Sequence, residues 1–86
     1  MSTVSDLAFF IVLARQPSLA AAAQEMGITP PNVSRRLAAL EKRLGLRLLN
    51  RTTRRLSLTA EGQRYLAEGE QILRDLEGLE ASLAAD

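Results

Sequence analysis

The stretch from residue 29 to residue 44, TPPNVSRRLAALEKRL, leaves the chain little choice of local structure. Thr29 is a helix-capping residue type, and Pro30 falls at the first helical position, where its missing N–H is no loss. No breaker follows before Gly45. At about 100° per residue, Val33, Leu37, Leu40 and Leu44 fall within one narrow sector and read as core. Pro31, Arg35, Ala38 and Lys42 fall opposite, flanked by Asn32 and Ala39. Long cations thus share the outer face with side chains small enough to let the helix approach another surface closely. Such a helix fits a DNA major groove. It equally fits a solvated surface helix, and the flanking segments have to decide between the two.

Upstream, a first helix is expected from Thr3 or Ser5, with Asp6 placing negative charge in its first turn. Leu7, Phe10, Ile11 and Ala14 follow helical spacing, and Gln16-Pro17 ends the run. Ser18 caps a short second helix over 19–26, in which the run Ala20 to Ala23 allows close packing. Gly27 is the left-handed residue expected just past its end, and Ile28 reads as an apolar plug in a tight turn. Helix, short turn containing Gly, then helix with a basic outer face is the helix-turn-helix pattern.

Downstream, the runs 46–49 and 56–58 alternate as short strands do, around the polar, cationic connector Asn50 to Arg55. They are expected to form a small two-stranded β wing with arginines at its tip, a disordered basic loop being the alternative. Thr59 caps a final helix running to about Leu83, about 37 Å at 1.5 Å per residue. Along it Tyr65, Gly69, Ile72, Leu76, Leu79 and Leu83 recur at steps of four and three, as in a coiled-coil seam. A helix this long cannot bury that seam against so small a domain, so a second copy of the chain is the expected partner.

Composition narrows the function classes. Eighty-six residues make one small domain, able to bury roughly 60–65% of the surface its unfolded chain exposes. With neither Cys nor His, thiol chemistry, disulfides, imidazole or thiolate metal sites and His-based triads are excluded. A carboxylate pair such as Glu77 and Glu80 reads as a solvated face. No cofactor, metal site or enzymatic activity is expected, and no run of the sequence looks like a signal peptide or a membrane span. The net charge of +1 conceals a segregated distribution. Residues 1–34 carry −1 (Arg15 against Asp6 and Glu25) and residues 56–86 carry −5 (two arginines against seven acids). Between them, residues 35–55 carry +7, from eight Arg and Lys against Glu41 alone. A basic block bounded in this way marks an anion-binding face.

These residues resemble the LysR-type transcriptional regulators, specifically their N-terminal winged helix-turn-helix and linker helix. Ser18, Ala22 and Ala23 match the S-F-x-x-A-A opening of the second helix. Pro31, Val33, Ser34, Leu37, Leu40 and Glu41 match Q-P-x-V-S-x-x-I-x-x-L-E. Leu44-Gly45, Leu48-Leu49, Arg51, Arg54, Leu58-Thr59 and Gly62 match L-G-x-x-L-F-x-R-x-x-R-x-x-x-L-T-x-A-G. The departures are Pro30 and Arg36, where many members have glutamine, and Leu19 and Glu61, in place of a phenylalanine and an alanine. Pro30 removes one expected base contact.

The resemblance implies a mainly α fold: three helices plus the two-stranded wing over residues 1–58, then a dimerisation helix over 59–86. It implies a cytoplasmic bacterial regulator that binds double-stranded DNA as a homodimer on an interrupted inverted repeat. The family's effector-binding domain is not encoded here, so any small-molecule effector acts through that missing part. The recognition helix 30–44 is expected in the major groove and the wing 50–56 at the minor groove or backbone. Arg35 is the first candidate for reading bases. Pro31 follows through a thymine methyl, and Asn32 through adenine or a phosphate, unless it is merely satisfied locally at the helix start. Arg54 is expected in the minor groove or on a phosphate. Ser18, Thr29, Ser34, Arg36, Arg51 and Thr52 are assigned to the DNA backbone, with capping a competing role for Ser18 and Thr29. Lys42, Arg43 and Arg47 read as solvated. The dimer interface is expected at Tyr65, Ile72, Leu76, Leu79 and Leu83.

Overall fold

The first helix, α1 (Thr3–Ala14), starts at the earlier of the two expected positions because Ser2 caps it, its hydroxyl accepting from the Ser5 N–H. In the computed structural model, which describes residues 2–50 and 55–85, α1 packs between two of the other three helices. It buries more than the expected stripe: Phe9 and Leu13 join Leu7, Phe10 and Ile11, while Ala14 is partly buried. The reason is that α1 has neighbours on two sides, α2 (Leu19–Met26) on one and α4 (Ala60–Ala85) on the other.

Local chemistry sets the helix-turn-helix unit as the sequence indicates. Ser18 Oγ accepts from Ala21 N–H (3.1 Å), and Gly27 closes α2 in the left-handed region at φ 70°. The Ile28 N–H returns to the Ala23 carbonyl (3.0 Å) in the pattern of a left-handed helix stop. Ile28 itself stays exposed, so it does not plug the turn. Thr29 then caps α3 (Pro30–Leu44), whose inner face buries Val33, Leu37 and Leu40 against Phe10, Leu13, Ala22 and Ala23. Gly45, at φ 74°, ends α3.

The two-stranded wing does not form as expected. Among the described residues there is no strand, and pairing is limited to one antiparallel bridge, Leu49 with Leu58. The cause lies in the donors: the N–H groups of Leu48 and Leu49 both point at the Glu41 carboxylate of α3, at 2.7 and 3.2 Å. In this register the Leu49 N–H faces away from the opposite flank. The Leu48 N–H, which a longer ladder would pair across to Thr59, is withdrawn to Glu41, so the ladder stops on the root side. The two flanks still meet, with Asn50 N–H donating to the Ser57 carbonyl (2.8 Å). The tip, residues 51–54, lies outside the described residues.

α4 starts on the same root. Thr59 Oγ1 donates to the Arg47 carbonyl (2.7 Å) and accepts from Gly62 N–H (3.0 Å), capping α4 as the sequence indicates. Two glycines let this helix come close. A Cβ at Gly62 would fall inside the contact radius of the Leu48 carbonyl, and one at Gly69 would collide with the Leu7 side chain. Gly69 therefore belongs to the α1 crossing and not to a free seam. Tyr65 likewise turns inward, its ring 5.1 Å from that of Phe10. Beyond this point α4 leaves the domain, and Ile72, Leu76, Leu79 and Leu83 are exposed.

The glycines yield a paired test. Gly62→Ala, facing rigid backbone, is expected to destabilise by about 1–3 kcal/mol. Gly78→Ala, with open space around it, should stabilise by about 0.5–1 kcal/mol through helix propensity alone. Thermal unfolding followed by circular dichroism reads both, and equal shifts would show that the α4–Leu48 approach is not tight.

Candidate nucleic-acid interface

On the outer face of α3, Thr29, Pro30, Pro31, Asn32, Arg35, Ala38, Ala39 and Lys42 are all exposed. The face is nearly flat around the two alanines, with Arg35 and Lys42 standing on either side. The Arg35 guanidinium donates to Asn32 Oδ1, one turn earlier. The helix end beneath them offers few donors of its own. Pro30 and Pro31 have no N–H, and those of Asn32 and Val33 are taken by Thr29. Contact to a negative partner at this end therefore falls to side chains.

The rest of the basic block divides sharply. Arg36 turns back over α1: its guanidinium donates to the Ser5 hydroxyl (3.0 Å) and carbonyl (3.3 Å) and lies 4.5 Å above the centre of the Phe9 ring. That stacking is a cation–π contact made more effective by partial burial. Arg43 holds Asp6 through two nitrogens, each 3.1 Å from Oδ2. Arg47 stands 3.7 Å from Glu41 Oε1. Arg43 and Arg47, expected to be solvated, are structural partners of buried acids, since Asp6 and Glu41 are each 5% exposed. Ser34 is half-buried on the flank of α3, while Ser18 and Thr29 serve as caps. Arg55 is exposed at the foot of the wing; Arg51, Thr52 and Arg54 lie outside the described residues.

Sequence reasoning passed over Glu41, Asp6 and Arg43 as parts of this site. A helical wheel carries a signal for them. Relative to Val33, Glu41 lies at about 80° on one flank of the core sector, and Arg36 and Arg43 at about 60–80° on the other. Charges so close to an apolar stripe are placed where a neighbour can reach them. Behind this layer, the Tyr65 phenol is pushed above its ordinary pKa, first by burial and then by Asp6, with Arg43 acting in the opposite direction.

This arrangement of helices has relatives among known proteins. Residues 4–63 match the family model described as bacterial regulatory helix-turn-helix protein, lysR family. The HTH-type transcriptional regulator DmlR of Escherichia coli strain K12 is 44% identical over 73 residues, which are 85% of this chain and 24% of that protein. Among solved structures, a CbnR DBD–DNA complex superposes with a TM-score of 0.80 at 33% identity, covering 99% of this chain and 100% of that one. A BenM DBD complex with benA site 1 DNA gives 0.89 at 25% identity, with 98% of each chain covered. The chain spans about a quarter of the length of the curated relatives it matches, 24% in the case of DmlR. These relatives bear the names of transcriptional regulators, not of enzymes.

The Tyr65 environment is testable directly, because it is the one tyrosine in a chain without tryptophan. A raised value means that the folded state favours the neutral phenol. Its contribution to stability is then fully present below the unfolded value of about 10 and lost as pH rises through the folded one. Phenolate absorbance should therefore rise at higher pH in the native chain than in the chain unfolded by guanidinium. Coincident curves would mean that the phenol is solvated.

Proposed function

Since the chain belongs to the lysR family of bacterial regulatory helix-turn-helix proteins, we propose that it recognises duplex DNA as a homodimer, at an interrupted inverted repeat in a promoter. The observation that carries this reading is the outer face of α3: exposed Arg35 and Lys42 beside small Ala38 and Ala39, with the apolar sector turned entirely inward. Support comes from the DNA complexes among its structural neighbours. α3 enters the major groove, and the segment 50–56 meets the minor groove or the backbone.

In this arrangement Arg35 donates two hydrogen bonds to guanine O6 and N7. Pro31 touches a thymine methyl, Asn32 contacts adenine or a phosphate, and Arg54 inserts into the minor groove. Ser18, Thr29, Ser34, Arg51 and Thr52 meet phosphates, which fix register without reading sequence. Arg36, drawn back to Ser5 and Phe9, adds its charge to the face from one layer behind, within a screening length of about 10 Å.

The second copy is supported by the bare half of α4, where Ile72 and Leu83 are 59% and 67% exposed. An open apolar groove of about 300 Å³, lined by Leu7, Leu44, Leu46, Leu48, Tyr65 and Ile72, continues that stripe toward the domain. Ile72, Leu76, Leu79 and Leu83 form the dimer contact, and Tyr65 borders it from its place on Phe10. The activity is that of a cytoplasmic regulator, with any small-molecule effector acting through protein outside this chain. Among the described residues no helix is long and apolar enough to cross a membrane.

Arg35→Ala is expected to remove about 1–3 kcal/mol of discrimination between operator and scrambled duplex, while weak, salt-sensitive binding survives. Fluorescence anisotropy on both duplexes measures this, and an equal loss on the two would end the base-reading role. Leu76→Arg is expected to convert the dimer to a monomer; an unchanged sedimentation coefficient would remove α4 from dimerisation.

A further inference from the structure

Two carboxylates buried in the domain, Asp6 and Glu41, take no part in the proposed DNA contacts, and of the two it is Glu41 that bonds to the backbone beside the wing. It sits on the inner flank of α3, 5% exposed, and its Oε2 accepts from two successive backbone amides, Leu48 at 2.7 Å and Leu49 at 3.2 Å. Its Oε1 faces the Arg47 guanidinium at 3.7 Å. Leu48 and Leu49 are the last residues before the wing, and the first wing bond, from Asn50 N–H to Ser57 O, follows at once. On the far side the chain returns through Leu56, whose N–H donates to Pro17 O (3.4 Å), and through Thr59, whose N–H donates to Leu48 O (3.0 Å).

We propose that Glu41 is a positioning residue for DNA binding: by holding the Leu48 and Leu49 amides, it fixes the root of the wing to the recognition helix itself. The inference rests on the DNA-binding reading. A continuous ladder would let the wing hang from α4 and the opposite flank, free to swing relative to α3. One bridge, at Leu49 and Leu58, cannot hold a hairpin in place. The bonds from Asn50 N–H to Ser57 O and from Thr59 N–H to Leu48 O join the flanks to each other but do not reach α3; Glu41 supplies that tie, from the helix proposed to read the bases. The distance between the groove-reading face and the root of the wing at Leu48 and Leu49 is thereby set by α3 itself, so that both start from one support. Side-chain size alone does not explain the choice of residue, because an apolar side chain at this position would leave two buried N–H groups without an acceptor.

Glu41→Gln keeps the shape and one acceptor oxygen but removes the charge. With the fold retained by circular dichroism, amide exchange should become fast at Leu48 and Leu49 while α3 keeps its protection. Affinity for operator DNA should fall about tenfold, with a salt slope shallower by about 0.9 for each phosphate that the wing ceases to neutralise. A purely structural role would lower the active fraction and leave that slope unchanged. If Glu41→Gln does not fold, Glu41→Asp, which withdraws the charge by one methylene, is read in the same way. An unchanged slope, or fast exchange at Leu48 and Leu49 in the unaltered chain, would overturn the proposal. Failure of the unaltered chain to bind any duplex would sink the DNA reading instead, and the exchange measurement would still decide the clamp.

Discussion

Burial of the dipeptide Leu48-Leu49 is the constraint on which the rest of the domain depends. Both side chains lie in the core, at 1% and 2% exposure, so their backbone must be buried with them. Buried amides without acceptors cost about 1–3 kcal/mol each, and a buried carboxylate without donors costs several. Glu41 answers both requirements at once. Its own two carboxylate oxygens meet two amides and a guanidinium, and the amides obtain a charged acceptor that strengthens each bond. The Leu48 carbonyl then serves as the seat for α4, through the Thr59 N–H and the missing side chain of Gly62. Three elements thus take their positions from one pair of residues.

This explains which parts of the fold were legible in the sequence. The helices and their ends were, because Ser18, Thr29, Gly27 and Gly45 act on their own neighbours, within the range over which sequence pattern speaks. The wing was misread because its alternation of Leu46 with Leu48, and of Leu56 with Leu58, implies two strands. In the structure Leu46 is exposed while Leu48 and Leu49 are buried in succession, which is not a period of two. The acceptor that imposes this comes from a helix seven residues earlier, and no local period reveals it. An acid placed beside an apolar stripe and followed shortly by a Leu-Leu pair is the pattern that does.

Charge and seam were each half legible, for geometric reasons. A count of +7 over residues 35–55 treats every cation as outward-facing, yet Arg36 and Arg43 lie on the flank of α3 that meets Ser5 and Asp6 of α1. Only their angle on the helix separates them from Arg35 and Lys42. The heptad along α4 has the same defect as evidence: it shows an apolar line but not what covers it. α1 has 12 residues and α4 has 26, or about 18 and 39 Å. The first half of the line, at Tyr65 and Gly69, is covered by α1 of the same chain. The line is bare where α1 runs out.

The start of α3 bears on how specificity could arise in the proposed complex. A helix N-terminus ordinarily attracts phosphate through free amides and the helix dipole. Here the two prolines remove donors and Thr29 occupies the next two amides, so that sequence-blind contribution is reduced. What remains at this end is a pair of side chains, Arg35 and Asn32, already bonded to each other. An arginine tethered by an amide oxygen has fewer rotamers to surrender than a free one, and ordering a long side chain costs up to about 2 kcal/mol. In the proposed complex, a helix that gives up its own amides in this way leaves more of the recognition to its side chains, Arg35 among them, which Asn32 one turn earlier already holds.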